Sequence, residues 1–171
     1  VLEMIANTKG LTTISPTWFF LSDNEGNIES LASQTYVNYC HQNNIEVWAL
    51  VEDIKYKDTI LDYEILSSTS SRQRLVNNLI ARAIEFDLDG LNIDFEYMHD
   101  EDKDLFSRFI IELKPRLSEI GAILSVDVTA PDGSEEWSMC YDRYVIGDVA
   151  DYIVFMAYDQ YGASSDKAGT T

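Results

Sequence analysis

The stretch Phe86-Asp87-Leu88-Asp89-Gly90-Leu91-Asn92-Ile93-Asp94-Phe95-Glu96-Tyr97 decides the fold. Leu91, Ile93 and Phe95 alternate with Asn92, Asp94 and Glu96, and residues two apart in a strand point to the same side. One face of this strand is therefore apolar, and the other carries an amide and two carboxylates in a row. Helical segments precede and follow it, and strands in that setting are usually parallel and covered on both faces. A carboxylate pair facing an interior is costly unless it is hydrogen-bonded, partnered or used. The bland alternative is a solvated acidic face in an acidic chain. Acids in perturbed surroundings mark active sites often enough to prefer a functional reading.

Working outward, Ser70 with Gln73 fits a capping box. Leu75, Val76, Leu79, Ile80, Ala83 and Ile84 then repeat at helical spacing up to the central strand. Beyond the strand, Asp100 or Asp102 caps a helix whose apolar stripe is Leu105, Phe106, Phe109, Ile110, Leu113, Leu117 and Ile120. Pro115 is expected to bend this helix, and Gly121 to end it. The run from Asp100 to Asp104 superficially resembles a calcium loop but has Leu105 where that loop needs glycine, so a capped helix start is preferred. Further strands are read at residues 12–20, with Pro16 at a strand end or bulge, and at 47–51, 123–128 and 152–158. Residues 23–27 form a turn, 31–43 a helix, 55–68 a long loop, 140–149 a short helix, and 162–171 a loop or disordered tail.

Strand and helix alternate through the chain, which means parallel strands joined by right-handed crossovers. A doubly wound open sheet and a (β/α)8 barrel of the TIM type both satisfy that order. The polar residues favour the barrel. Glu52, Asp94 with Glu96, Asp127, and Tyr158 with Asp159 all fall near the C-terminal ends of successive strands, where barrel enzymes place their chemistry. An open sheet concentrates its site at one switch point, often with a glycine-rich phosphate loop, and this sequence has none.

Composition narrows the function. The chain has 171 residues, enough for one domain with a real core. A net charge of −18 argues against nucleic acid and anionic membrane as partners and suits a neutral or cationic ligand. No apolar run reaches transmembrane length, and no signal peptide is seen. The chain begins at Val1 rather than Met, so it is read as a processed or excised piece. Cys40 and Cys140 are read as buried free thiols in helical segments, since two distant cysteines make neither a disulfide framework nor a metal cluster. His41 and His99, without partners at ligand spacing, are read as surface residues. No cofactor and no metal is called for.

Two motifs resemble glycoside hydrolase family 18, the chitinase-like family. Asp89-Gly90-Leu91-Asn92-Ile93-Asp94-Phe95-Glu96 is similar to its D-G-x-D-x-D-x-E strand, and Met156-Ala157-Tyr158-Asp159 to its M-x-Y-D strand, about sixty residues further on. The segments Ile14-Ser15-Pro16-Thr17-Trp18-Phe19 and Leu124-Ser125-Val126-Asp127-Val128 resemble the bacterial branch of spore-cortex and cell-wall N-acetylglucosaminidases. Two departures stand out. Asn92 occupies a position that is Asp in most chitinases. Ala49-Leu50-Val51-Glu52 replaces the family's S-x-G-G, which puts binding of long chitin in doubt and leans toward peptidoglycan-like glycans.

The resemblance implies a substrate carrying N-acetylglucosamine, and a location outside the cell or at the bacterial cell wall or spore. It implies a substrate-assisted retaining mechanism, in which the 2-acetamido oxygen attacks the anomeric carbon. Glu96 is then the general acid and later the base. Asp94 holds the acetamido N–H, and its charge helps keep Glu96 protonated for the first step. Asn92 is expected to hydrogen-bond Asp94. Tyr158 donates to the acetamido oxygen, Asp159 bonds sugar hydroxyls, and Met156 lies beside them. Asp127 lines the site or packs structurally. Trp18 stacks on a sugar ring or fills the core. Five strands are readable where closure needs eight, so residues 1–171 are expected to form a single partial barrel. Its outer strands are then open edges prone to self-association. A non-catalytic glycan-binding module on the same fold is the rival reading; the presence of Glu96 favours an enzyme.

Overall fold

In the computed structural model, residues 2–55, 59–60, 62–131, 133–135 and 137–157 are described. The elements run α1 (Leu2–Asn7), β1 (Thr13–Ile14), β2 (Thr17–Leu21), β3 (Ile28–Ser30), α2 (Gln34–Gln42), β4 (Glu46–Glu52), β5 (Ile54–Lys55), β6 (Thr59–Ile60), α3 (Asp62–Ser67), α4 (Thr69–Phe86), β7 (Gly90–Asp94), a 3-10 turn (Asp100–Asp102), α5 (Lys103–Glu119), β8 (Ile123–Thr129), α6 (Arg143–Val149) and β9 (Tyr152–Met156).

One sheet has the order β3-β2-β4-β7-β8-β9, with β1 also paired to β4. From β2 to β9 every pairing is parallel, and each strand lies beside the next parallel one in sequence. That order has no reversal. Right-handed crossovers between successive neighbours place all connecting helices on one side, the winding of a barrel rather than of a doubly wound sheet. The fold is thus α/β, part of a TIM-barrel-type sheet.

Local chemistry explains the boundaries. The strand expected at 12–20 is two pieces, β1 and β2, interrupted at Ser15-Pro16. Pro16 has no N–H to give but still accepts from Leu50 through its carbonyl at 2.9 Å. Helix α4 is capped by Ser68, whose hydroxyl accepts from Ser71 N, so the cap expected at Ser70 is corrected to two residues earlier. α4 closes on Asp87, which adopts φ 55°, a left-handed value that Asp tolerates. Helix α5 carries Pro115 within it and ends in a Schellman arrangement at Gly121: Ala122 N donates to Leu117 O at 2.9 Å and Gly121 N to Ser118 O at 3.1 Å.

Several other readings are corrected. The turn at 23–27 is the bend of a hairpin, because β3 returns antiparallel to β2 through Phe19↔Ser30 and Leu21↔Ile28. The β2 edge is therefore covered, not open. The helix expected at 31–43 starts at Gln34, capped by Ser33. The expected long loop contains α3 and the short β5–β6 ladder. Cys40 and Cys140 are buried free thiols, but Cys140 lies in a turn before α6, which starts at Arg143 under an Asp142 cap. His41 is not an unpartnered surface residue. Its Nε2 is 2.8 Å from Asp89 Oδ2, and that oxygen also accepts Val47 N at 2.7 Å, tying α2, β4 and the start of β7 together. Residues 162–171 lie outside the described residues.

The core lies between the sheet and α4 with α5. Leu75, Val76, Leu79, Ile80 and Ala83 from α4 meet Phe106, Phe109, Ile110, Leu113 and Leu117 from α5 over Leu91, Ile93, Leu124 and Val126. Arg72 is 2 % exposed, yet its guanidinium is satisfied: Nε and Nη2 bond Glu112 at 2.7 and 2.9 Å, and Nη1 bonds Leu66 O at 2.7 Å. Gly26, at φ +87°, touches α4 so closely that an added Cβ would sit 2.1 Å from Ser71 O. At the other edge β9 is exposed on both faces, from Tyr152 to Phe155, and among the described residues no strand pairs with its far side.

Candidate active site

The inner face of the sheet collects every second residue of four adjacent strands. Register places Glu52 of β4 beside Asp94 of β7, Asn92 of β7 beside Ser125 of β8, and Asp127 and Thr129 of β8 beside Val154 and Met156 of β9. Partners in a parallel ladder share a face, so one polar row crosses the C-terminal end of the sheet. Glu96 follows two residues beyond Asp94, just past the end of β7.

The backbone leading to Glu96 is held firmly. Phe95 is fully buried; its ring stacks on Phe109 at 5.7 Å and lies 5.8 Å from Phe106. Its carbonyl accepts the Tyr141 hydroxyl at 2.7 Å. On the far side, Tyr97 N donates to Asp53 Oδ2 at 2.8 Å. Aromatic packing and two hydrogen bonds thus fix the chain on both sides of the carboxylate that the motif singles out.

The charges around Asp94 are crowded and poorly hydrated. Burial pushes Asp94 up to about 7, helped by the charges of Asp127, Glu96, Asp53 and Glu52. Burial lifts Asp127 to about 6, opposed by its hydrogen bond from Asn92 and assisted by Glu96. Burial also raises Glu52. Asn92 Nδ2 donates to Asp127 Oδ2 at 2.9 Å, so its amide N–H serves Asp127 rather than the Asp94 partner expected from sequence. Asn92 Oδ1, Asp94 Oδ1, Ser125 Oγ and Asp127 Oδ1 are buried without a hydrogen-bond partner among the described residues. Native structures rarely leave so many buried polar atoms unmatched in one place, and such a cluster calls for a ligand or a proton.

Of the residues singled out in the sequence, the structure brings together Asn92, Asp94, Glu96, Asp127 and Met156, with Met156 nearly buried at the end of β9. Trp18 is 7 % exposed with its ring edge-on to Tyr36 of α2 at 5.2 Å, so it is a core residue, the alternative left open for it. Tyr158 and Asp159 lie outside the described residues. Sequence reasoning noted Glu52 only as a polar strand end; its register with Asp94 makes it a neighbour in the site. It gave no role to Asp53, noted with Glu52 only as a strand end, nor to Asp62 and Tyr141. The Glu52-Asp53 pair at the end of an apolar run was the one available signal.

Parallel strands wound in barrel order, with acids clustered at their C-terminal ends and one pushed up to about 7, place a candidate site where barrel enzymes carry their chemistry. The chain belongs to the glycosyl hydrolases family 18, whose pattern it matches over residues 16–171. It is 30% identical over 152 residues to an uncharacterized glycosylase, YvbX, of Bacillus subtilis (strain 168), covering 84% of this chain and 44% of that protein. A putative sporulation-specific glycosylase of Bacillus subtilis has a solved structure that superposes with a TM-score of 0.85 at 26% identity, covering 94% of this chain and 54% of that one. The spore cortex-lytic enzyme SleL of Bacillus megaterium QM B1551 shares the fold, with a TM-score of 0.83 at 23% identity over 91% of this chain and 38% of that one. The chain therefore spans about half or less of the proteins it matches. Among the described residues no helix is long and apolar enough to cross a membrane.

Proposed function

We propose that the protein containing this chain hydrolyses β-1,4-linked N-acetylglucosamine glycans, chitin or peptidoglycan, by a substrate-assisted retaining mechanism. The observation that carries this reading is the row Asn92 and Asp94 on the inner face, with Glu96 two residues further on and Asp94 pushed up to about 7 by burial and then by the charge of Asp127. Glu96 protonates the leaving oxygen and then activates water. Asp94 holds the acetamido N–H while the acetamido oxygen attacks the anomeric carbon, so no protein nucleophile is needed. Tyr158 and Asp159, by their place in the motif, bond the acetamido oxygen and a sugar hydroxyl. Burial of the acids strengthens each of these contacts.

The relatives named for sporulation and cortex lysis support a cell-wall or spore glycan and an extracellular or spore-associated location. The open β9 edge, with Ile153, Val154 and Phe155 exposed, supports pairing with a further strand or a second copy.

The test compares hydrolysis of N-acetylglucosamine oligomers and of peptidoglycan by the full-length protein and its Glu96→Gln variant. The variant is expected to lose at least ~10²–10⁴-fold in kcat with its fold intact. Wild-type turnover by Glu96→Gln, or equal rates on a glucoside and the matching N-acetylglucosaminide, overturns the proposal. Binding without any hydrolysis by the wild type establishes the glycan-binding alternative instead.

A further inference from the structure

Behind the loop that carries Glu96 lie carboxylates that the proposed chemistry does not use. Asp53, 2 % exposed, follows the last residue of β4. Its carboxylate accepts Tyr97 N at 2.8 Å. That bond holds the peptide joining Glu96 to Tyr97, and with it the direction in which the Glu96 side chain leaves the backbone.

Asp62 opens α3 and is fully buried. Neither of its oxygens has a donor among the described residues. As a carboxylate it would be a buried, unpartnered charge facing Asp53, Asp102 and Glu64. With a proton, it has an acceptor in Asp53. Burial and then the Asp53 charge push Asp62 far up, so the proton stays on this pair at neutral pH. Asp102, 2 % exposed, adds further negative charge to the cluster and accepts His99 N at 3.0 Å. On the site side Asp53 faces Asp94 and Tyr97, and on the α6 side Cys140 and Tyr141.

We propose that Asp53 and Asp62 share one proton and together act as the positioning element for Glu96, gripping the Glu96–Tyr97 backbone from outside the substrate site. The proposal rests on the reading of Glu96 as acid and base. Neither residue touches substrate. Removal of the shared proton sets two carboxylates against each other, displaces the grip and misplaces Glu96, so the pair contributes an alkaline limit to kcat. Small displacements of a catalytic group are enough to matter, since about 1 Å of misplacement can cost ~10²-fold in rate.

The test uses the full-length protein and two independent readouts. Infrared difference spectra at about pH 8.5, where an ordinary aspartic acid is ionised, are expected to show a protonated carboxyl that Asp62→Asn lacks. In kinetics, Asp53→Asn and Asp62→Ala are expected to lower kcat ~10-fold or more with KM changed less than about twofold. Asp62→Asn restores a neutral donor, so it is expected to recover most of the kcat lost in Asp62→Ala and to extend activity to higher pH. No Asp62-dependent carboxyl band overturns the shared proton whatever the activity. A band present while Asp53→Asn keeps wild-type kcat and pH profile overturns the positioning role. If Asp53→Asn does not fold, the contrast between Asp62→Ala and Asp62→Asn decides the same question. Full activity in Glu96→Gln would remove the functional reading while leaving the spectroscopic result standing.

Discussion

Replacing Asp94 by asparagine should flatten the dependence of stability on pH between mildly acidic and mildly alkaline solution. In the folded protein Asp94 titrates at about 7, against about 3.9 for a free aspartate. The folded state therefore keeps the proton over a range in which the unfolded chain has released it. Stability linked to that proton is fully present below about pH 4 and is lost as pH climbs through about 7. A difference of about 3 units at 1.36 kcal/mol each gives about 4 kcal/mol. Asp94 is only partly sealed from solvent, so about 2–4 kcal/mol is the working figure. Asp127, raised to about 6, has the same sign, whereas Asp151 and Asp23 are lowered and contribute stability that is lost only in acid. An asparagine side chain has no proton to lose in this range, so the variant isolates the Asp94 share. Urea unfolding followed by circular dichroism at about pH 5 and pH 8 makes the comparison. Because about a third of the effect is already gone at pH 5, the wild type is expected to lose about 1–3 kcal/mol more than Asp94→Asn over that interval. Equal losses, or a wild type that gains stability toward pH 8, would show that Asp94 is ionised and solvated in the folded protein.

Three other changes have outcomes set by the structure. Asn92→Asp removes the amide donor that Asp127 receives at 2.9 Å and sets two carboxylates together; it is expected to steepen the loss of stability above about pH 6 by about 1–3 kcal/mol in the same urea titrations. Glu112→Ala strands Arg72, which is 2 % exposed, and is expected to cost about 3 kcal/mol in denaturant unfolding, with an Arg72→Met, Glu112→Leu double variant losing less. Gly26→Ala forces a Cβ against Ser71 O in a backbone region that L-residues avoid, and is expected to lower stability by at least about 2 kcal/mol, read as a fall in Tm.

The sequence determined what periodicity and local chemistry can encode. Alternation in Leu91-Asn92-Ile93-Asp94 sets which side chains face the helices and which face inward, because that geometry is fixed within the strand itself. The stripes of α4 and α5 and the end of α5 at Gly121 were legible for the same reason, as was the grouping of acids at strand ends. The tertiary structure decided whatever depends on segments far apart in the chain. Hairpin β3 carries no pattern of its own beyond a turn, and it exists because β2 offers an edge. Asn92 chose Asp127 over Asp94 because β8 lies alongside β7, a neighbour 35 residues away. Trp18 became a core residue through its contact with Tyr36. Asp62, in a segment read as loop, became a fully buried acid only because α3 packs against α4 and α5. Burial and charge proximity set its protonation, and both are sums over neighbours that a linear sequence does not rank.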